Sequence, residues 1–546
     1  MPESANIARH LPSMAARQPE RVAIKIPRRR TAEGKIDYLT LSFAELDGEV
    51  DAWAARLKSK GVQRGDRVLV MVRQGLSLVA AAFALFKIGA VPVIIDPGMG
   101  RKNFLACIAR SKPRVLLGIP FAQVMSRLFP FAFASVQVRV WTSSSATARV
   151  GGKSADAKVK SEIVASAAGD LAAILFTSGS TGAPKGVCYE HGMFEAQVRL
   201  VRDTYGISSD EVDLPMLPIF ALFNPALGMT TVVPELDPSR PAAVDPEKIV
   251  RAIQQENVTT SFGSPTLWRK IFDYCLENEI TLPSMRRVLC AGAAVPASLW
   301  TDAPRVLTNG KLHSPYGATE VLPVATTSSA EMENRPELGA LIGRPLAENR
   351  VKIIALHEGR LATMAETHEL PAGEVGEIIV TGPTVTKVYD QLPSATAAAK
   401  IHADDGAIWH RMGDAGRIDH EGRLWFSGRI AERVETATGP LFTEPVEQVF
   451  RGHPQVVRCA LIGLGQRGGQ EPALVVQTVV DMTTDDETLA AALRELAKQQ
   501  PHTMEIRKFF FRPDFPLDVR HNAKIHRLTL TEWATTAAVY EPESAP

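Results

Sequence analysis

Two short apolar runs, Arg67–Val72 (RVLVMV) and Ala90–Asp96 (AVPVIID), bracket a longer apolar stretch over Leu76–Lys87. Runs of five to seven residues rich in Val and Ile read as buried strands, and the longer stretch between them reads as a helix. A strand–helix–strand unit implies parallel pairing. The pattern recurs near Arg114–Ile119 and Arg286–Cys290. Asp170–Phe176 (DLAAILF) is a further run of strand type, and Met193–Tyr205 places Phe194, Val198, Val201 and Tyr205 near helical spacing. Beyond about residue 370 the texture changes. Gly376–Gly382 (GEIIVTG) and Arg423–Ser427 (RLWFS) are short strands with turn signals. Val456–Ile462 and Ala473–Val480 follow as strands, and Asp486–Gln499 as a helix with Leu489, Leu493 and Leu496 on one face. The expected fold class is α/β, with parallel sheets and a small β subdomain in a large N-terminal domain, 1–428. A small, mobile C-terminal α/β domain, 429–546, completes it. Residues 142–169, rich in Ser, Ala, Gly and Lys, are expected to form a loop or mobile linker. No internal repeat is visible.

At 546 residues the chain exceeds what one core normally serves. A net charge of +1 gives no reason to expect a nucleic-acid partner, and a short basic run such as Arg28–Arg30 reads as solvated surface. The five cysteines form no CxxC pair. Neither a disulfide framework nor a zinc site is indicated, which suits a reducing cytoplasm. The N-terminus lacks the apolar core of a signal peptide. The most apolar region, Leu76–Ile95, is broken by Lys87, Gly89 and Pro92, so a buried helix and strand are expected there rather than a membrane span. His402, His410 and His420 are widely spaced and read as local polar residues.

Candidate chemistry begins at residues 176–187, FTSGSTGAPKGV. Glycines free backbone amides, and hydroxyls with one ammonium join them, a set suited to a polyphosphate. It is not a Walker A loop, because Pro184 precedes Lys185 and Gly186 follows it. Alone, the stretch also admits a blander reading as a flexible surface loop. Four further segments follow. AGAAVP, Ala291–Pro296, is a small-residue turn where a flat ring can approach the backbone, or simply a tight turn. SPYGATE, Ser314–Glu320, offers an aromatic face, a Gly turn, a hydroxyl and a carboxylate. Its Glu320 suits a hard cation such as Mg2+, or solvent. MGDAGRID, Met412–Asp419, contains Asp414, which suits two ribose hydroxyls or the capping of its own turn. HNAKIHR, His521–Arg527, carries Lys524 close to the C-terminus, where a lysine is usually solvent-facing.

In this order the segments resemble the adenylate-forming superfamily of acyl-CoA synthetases, peptide-synthetase adenylation domains and luciferases. The resemblance runs from Asn6 to about Trp533, and its implications are specific. Thr177, Ser178, Gly179, Ser180, Thr181 and Gly182, with Lys185, would clasp the phosphates of ATP. Gly292, Ala293 and Ala294, with Tyr316 and Gly317, would border the adenine. Thr319 would touch the α-phosphate and Glu320 would hold Mg2+. Asp414 and Arg429 would hold the ribose. Lys524 would bridge the carboxylate and the α-phosphate during adenylation. One departure stands out: where the superfamily often has Asp or Lys two residues after the Gly-Arg arginine, as a hinge, this chain has Ala431.

Several stretches are similar to one branch, the OleC-type β-lactone synthetases of bacterial olefin biosynthesis. They are 186–207, 211–230, FGSPTLW (262–268) and FPLDVRHNAKIHR (515–527). That resemblance implies a long-chain β-hydroxy acid as substrate. It also implies attack of the substrate's own hydroxyl on the acyl-AMP, and pathway partners of thiolase-like, reductase and β-lactone decarboxylase type. The stretch LPIFALFNPALG would line an acyl tunnel or pack the core. His191 is a candidate to take the hydroxyl proton, or a structural polar residue. The alternatives are a fatty acyl-CoA or acyl-AMP ligase and a nucleotide-binding regulator without turnover.

Overall fold

The computed structural model describes residues 4–150, 160–177, 183–237, 240, 243–479, 485–517 and 525–542. The chain divides into two compact units. The first comprises Met1–Val324, Leu346–Asn349 and Gly382–Lys400. The second comprises Ala325–Pro345, Arg350–Thr381 and Ile401–Pro546. Position 428/429 lies inside the second unit, at the end of the strand Leu424–Arg429.

One sheet of the first unit has six strands in the order Val138–Trp141, Val115–Gly118, Arg67–Met71, Val91–Ile95, Leu171–Thr177 and Lys185–Glu190. The first five pair in parallel. Because crossovers are right-handed, connections stepping in opposite directions place their helices on opposite faces. Leu76–Lys87 accordingly contributes Leu76, Val79 and Phe83 to one core, while Arg101–Ser111 and Pro120–Leu128 contribute Phe104, Ile108 and Ala122 to the other. Leu76–Lys87 is buried all round, as an apolar helix with no polar face must be. Its Lys87 ends against Asp51 at 2.5 Å.

The sixth strand, Lys185–Glu190, was not expected. It returns antiparallel to Leu171–Thr177, with Phe176 opposite Gly186 and Thr177 opposite Lys185. The helix His191–Tyr205 then starts without a loop. The apolar pattern of Val187, Cys188 and Tyr189 is short and sits inside a Gly-rich motif, so turn chemistry masked it. Residues 142–169 form neither helix nor strand where described, yet they are tied down. Val150 N–H donates to Glu49, Ser161 N–H to Asp51, and Asn6 Nδ2 to the Val164 carbonyl. A second sheet of this unit runs Ile36–Ser42, Val22–Arg30, Thr230–Val232, Val212–Asp213, Thr260–Gly263, Arg287–Cys290 and Lys311–Ala318.

The second unit contains antiparallel strands in the order Arg350–Ile354, Gly376–Thr381, Ile408–Ile418, Leu424–Arg429 and Ala340–Pro345. It also contains a three-stranded sheet of Val456–Leu464, Glu471–Thr478 and Lys508–Phe511. Alternate residues of Val456–Leu464 face opposite ways, as strand periodicity requires. Cys459 and Leu461 pack with Phe450, Leu489 and Leu493, whereas Ala460 and Ile462 pack with Phe510 and Leu530. All five cysteines are buried. Burial pushes the thiols of Cys107, Cys188 and Cys275 up to about 11, and those of Cys290 and Cys459 further up. No helix among the described residues is long and apolar enough to cross a membrane.

Candidate active site

The motif predicted to hold phosphate is flanked by two paired antiparallel strands. Thr177 ends the first strand and Lys185 opens the second, directly opposite. Ser178, Gly179, Ser180, Thr181 and Gly182 lie outside the described residues. A third segment runs along the hairpin. Asp390 N–H donates to the Gly186 carbonyl at 2.7 Å and Cys188 N–H to the Val388 carbonyl at 3.2 Å. Arg67 fixes this segment through a two-pronged ion pair with Asp390 at 2.8 and 3.1 Å.

Between them these segments hold Glu320. The strand Lys311–Ala318 ends in a turn at Thr319 and Glu320, before Val321–Ser328. The reversal is therefore at 319–320, and Gly317 lies within the strand. A Cβ there would come within 2.8 Å of the Val321 carbonyl oxygen, so glycine answers to close backbone approach. Thr386 donates twice to the Glu320 carbonyl, from its amide at 2.9 Å and its hydroxyl at 3.0 Å. The Tyr189 hydroxyl donates to the Thr319 carbonyl. The Tyr389 hydroxyl donates to Glu320 Oε1 at 2.7 Å, and Lys185 Nζ stands 4.9 Å from the Tyr389 ring centroid. Tyr389 thus touches both a predicted phosphate lysine and the predicted metal carboxylate.

Lys400 belongs to the same unit. Its amine is buried with no hydrogen-bond partner among the described residues. Burial pushes it down to about 7 against the opposing pull of the Glu320 carboxylate. Neither Tyr389 nor Lys400 falls in a recognisable motif.

The segments predicted to border adenine follow adjacent parallel strands. Leu289 pairs with His313, so Gly292, Ala293 and Ala294 leave the sheet at the level of Tyr316. Gly292 has φ +99°, which a side chain would strain. Loops at the carboxyl ends of parallel strands are where such folds bind ligands.

In the second unit Asp414 lies buried within the strand Ile408–Ile418, not in a turn. It pairs in register with Arg429, whose Nη1 reaches Asp414 Oδ1 at 2.8 Å and donates to the Met412 carbonyl at 3.2 Å. Lys524 lies outside the described residues. Leu517 and Ile525, on either side of residues 518–524, form an antiparallel bridge. Arg527 then bonds Glu432 at 2.6 Å and Glu447 at 2.7 Å. Glu432, in the short turn Ile430–Glu432, supplies a charged contact beside Ala431.

His191 has a structural place. It is buried at the start of its helix, accepts from the Ile7 amide at 3.4 Å and meets Phe86 edge-on. Burial pushes it down to about 4, so it is neutral and holds the N-terminal segment. In the apolar stretch 217–228, Phe220 stacks on Phe262 with centroids 3.7 Å apart.

Among the described residues no three His, Cys, Asp or Glu side chains gather to hold a metal. One hard carboxylate, Glu320, beside the hairpin predicted to hold phosphate fits Mg2+ carried in by a nucleotide, because that ion is typically held by one or two carboxylates and substrate phosphates.

Known proteins agree with this arrangement. Residues 11–390 match the family described as AMP-binding enzyme. Olefin beta-lactone synthetases from Xanthomonas campestris pv. campestris and Stenotrophomonas maltophilia are each 43% identical, covering 98% of this chain and 98% and 99% of theirs. The fold resembles the amide bond synthetase McbA from Marinactinospora thermotolerans, with TM-score 0.79, 23% identity, and 97% of this chain and 99% of that one covered. It equally resembles ATP-bound MatB from Rhodopseudomonas palustris, with TM-score 0.79, 22% identity, and 98% and 99% covered. The hairpin around the phosphate motif, the Glu320 turn and the matched length lead to one conclusion: the chain belongs to the AMP-binding enzyme family.

Proposed function

We propose that the protein activates a long-chain β-hydroxy acid with ATP as its acyl-AMP. The acid's own β-hydroxyl then closes a β-lactone, releasing AMP after pyrophosphate. The observation that carries this reading is 43% identity along nearly the whole chain to olefin beta-lactone synthetases. Ligases such as the feruloyl-CoA synthase of Amycolatopsis sp are 29% identical over 83% of the chain, and supply the second reading, acyl-CoA formation.

The chemistry explains the residues. A carboxylate is a poor electrophile because its charge is spread over two oxygens. Joining it to AMP creates a mixed anhydride with a good leaving group. The two reactants are both anionic, so fixed cations must face the developing charge, commonly the largest catalytic contribution. Lys185 and Lys524 serve that purpose in this reading. Thr177, Ser178, Gly179, Ser180, Thr181 and Gly182 orient the phosphates. Thr319 meets the α-phosphate. Gly292, Ala293, Ala294, Tyr316 and Gly317 border the adenine, and Asp414 with Arg429 holds the ribose. Glu320, kept in place by Tyr389 and Thr386, holds Mg2+, which when bound neutralises phosphate charge. In lactone closure the nucleophile is tethered, and such placement is worth roughly 7–11 kcal/mol, offsetting part of the ring strain. The segment around Phe220 and Phe262 receives the acyl chain.

We also place the boundary of a mobile C-terminal domain, 429–546, at the Gly428–Arg429 pair. The protein is proposed to work in the cytoplasm alongside enzymes of thiolase, reductase and β-lactone decarboxylase type. The decisive experiment supplies ATP, Mg2+ and a synthetic β-hydroxy acid, or the plain acid, with and without CoA, and identifies products by NMR. A lactone formed without CoA is expected. A CoA-dependent thioester and no lactone would overturn the reading.

A further inference from the structure

Charge is unevenly distributed along this nearly neutral chain. From Pro97 to Ala155 there are nine Lys and Arg and no Asp or Glu. The described part of this stretch builds one flank of the six-stranded sheet. It comprises the helix Arg101–Ser111, the strand Val115–Gly118, the helix Pro120–Leu128 and the edge strand Val138–Trp141. Three acidic side chains that reach it from elsewhere are ion-paired, Asp66 with Arg114, and Glu45 and Glu49 with Arg149, while Asp96 at its edge accepts from the Gly98 amide. Arg101, Lys102, Lys112 and Arg127 are exposed, and Arg139 is half-buried.

The helix Pro120–Leu128 is turned inside out. Its inward side carries Ala122, Gln123 and Ser126. Gln123 Nε2 donates to the Val140 carbonyl and Ser126 Oγ to the Gln123 carbonyl. Its outward side carries Phe121, Val124 and Leu128, spaced three and four residues apart and 65%, 51% and 68% exposed. Phe131, 67% exposed, and Trp141, on the edge strand, extend the surface. These five are half of the ten large apolar side chains that stand exposed among the described residues, which sets the patch apart from ordinary scattered exposure. Arg127 lies over the Trp141 ring at 5.9 Å, and Arg139 donates to Ser126 in the same helix.

We infer that this flank is a docking surface for an anionic lipid bilayer. Large apolar side chains project outward along one exposed helix face. The aromatic and Leu tips suit the acyl boundary, and Arg beside Trp suits the headgroup level, where aromatic rings and arginine side chains settle. The basic excess without acids complements anionic headgroups and would repel a basic partner. A single short helix gives reversible binding, not anchoring. The inference holds whichever acid is activated, and a long-chain acid would be met at the same surface.

Sedimentation of the full-length protein with vesicles tests it. Phosphatidylcholine vesicles are compared with phosphatidylcholine–phosphatidylglycerol vesicles at low and high salt. Binding to the anionic vesicles that weakens with salt is expected. The triple variant Phe121→Ser, Leu128→Ser, Phe131→Ser is expected to bind about tenfold or more weakly. Its thermal midpoint and its pyrophosphate release with a short soluble acid should stay unchanged, because the substituted side chains are exposed. Arg127→Gln with Arg139→Gln should weaken anionic binding and flatten its salt dependence. Equal binding to both vesicle types, or no effect of either variant, would overturn the inference. So would a dimer in analytical ultracentrifugation that the triple variant dissolves while vesicle binding is absent, which would assign the patch to a second copy.

Discussion

Lys400 combines two costs that proteins rarely accept together, a buried amine and no hydrogen bond to it among the described residues. Its amine is pushed from 10.5 down to about 7 by burial. Between those values the unfolded chain binds a proton that the folded chain does not, so stability rises with pH across that window. The penalty is complete below about pH 7 and disappears above about pH 10.5. Lys400→Met is therefore expected to raise the thermal midpoint most near pH 6.5 and least near pH 10, a gain on the order of a few kcal/mol at the lower pH. An equal gain at both would show that the amine is not depressed. If the same variant also loses adenylation, the strained lysine serves the Glu320 environment; strain is commonly retained where function needs it. Lys524 tests a different physical point. Lys524→Ala should reduce pyrophosphate release by about 10²–10³, the usual loss for one preorganised charge, while ATP titration changes little. Equal losses of binding and rate would contradict a role confined to the transition state.

At the scale of elements, the hairpin of Leu171–Thr177 and Lys185–Glu190 depends on an aromatic ring lying over a glycine. A Cβ on Gly186 would come within 2.6 Å of Phe176 Cζ, and Phe176 is itself buried. Gly186→Ala should therefore destabilise by about 1–3 kcal/mol through overpacking, measured by urea unfolding. Wild-type stability would show that the ring can move aside. The paired strands around Asp414 make a second element-scale test. Asp414→Ala leaves Arg429 without its carboxylate and should weaken ATP binding by about tenfold or more, as loss of charged hydrogen bonds does. Long apolar runs such as Leu76–Lys87 were legible in the sequence to the residue, because burial on every side leaves an unbroken signal. The strand Lys185–Glu190 was not, since six residues beginning at a Lys-Gly pair read as the tail of a loop. The alternative reading of Asp414 as the cap of its own turn does not hold, because Gly413 and Gly416 carry turn composition into the strand Ile408–Ile418. Tyr389 and Lys400 could not be read at all: their meaning comes from Glu320, some seventy or more residues away in sequence.

At the scale of the whole molecule, each compact unit has its own cores, which permits each to open as a cooperative body. In the second unit Arg527 lies between Glu432 and Glu447, and Arg451 between Glu444 and Glu447. Removing one cation from such a cluster strands buried carboxylates. Arg527→Met should cost about 3–5 kcal/mol and shift only the transition of the second unit in a urea titration followed by hydrogen exchange. A uniform shift of both units would refute their independence. The sequestered cysteines give this molecule a built-in clock. Cys107, Cys188, Cys275 and Cys290 belong to the first unit and Cys459 to the second. A thiol that must first be uncovered reacts only as fast as its surroundings breathe, so a pulse of alkylating reagent, read by peptide mass spectrometry, would time the opening of each half without any engineered label.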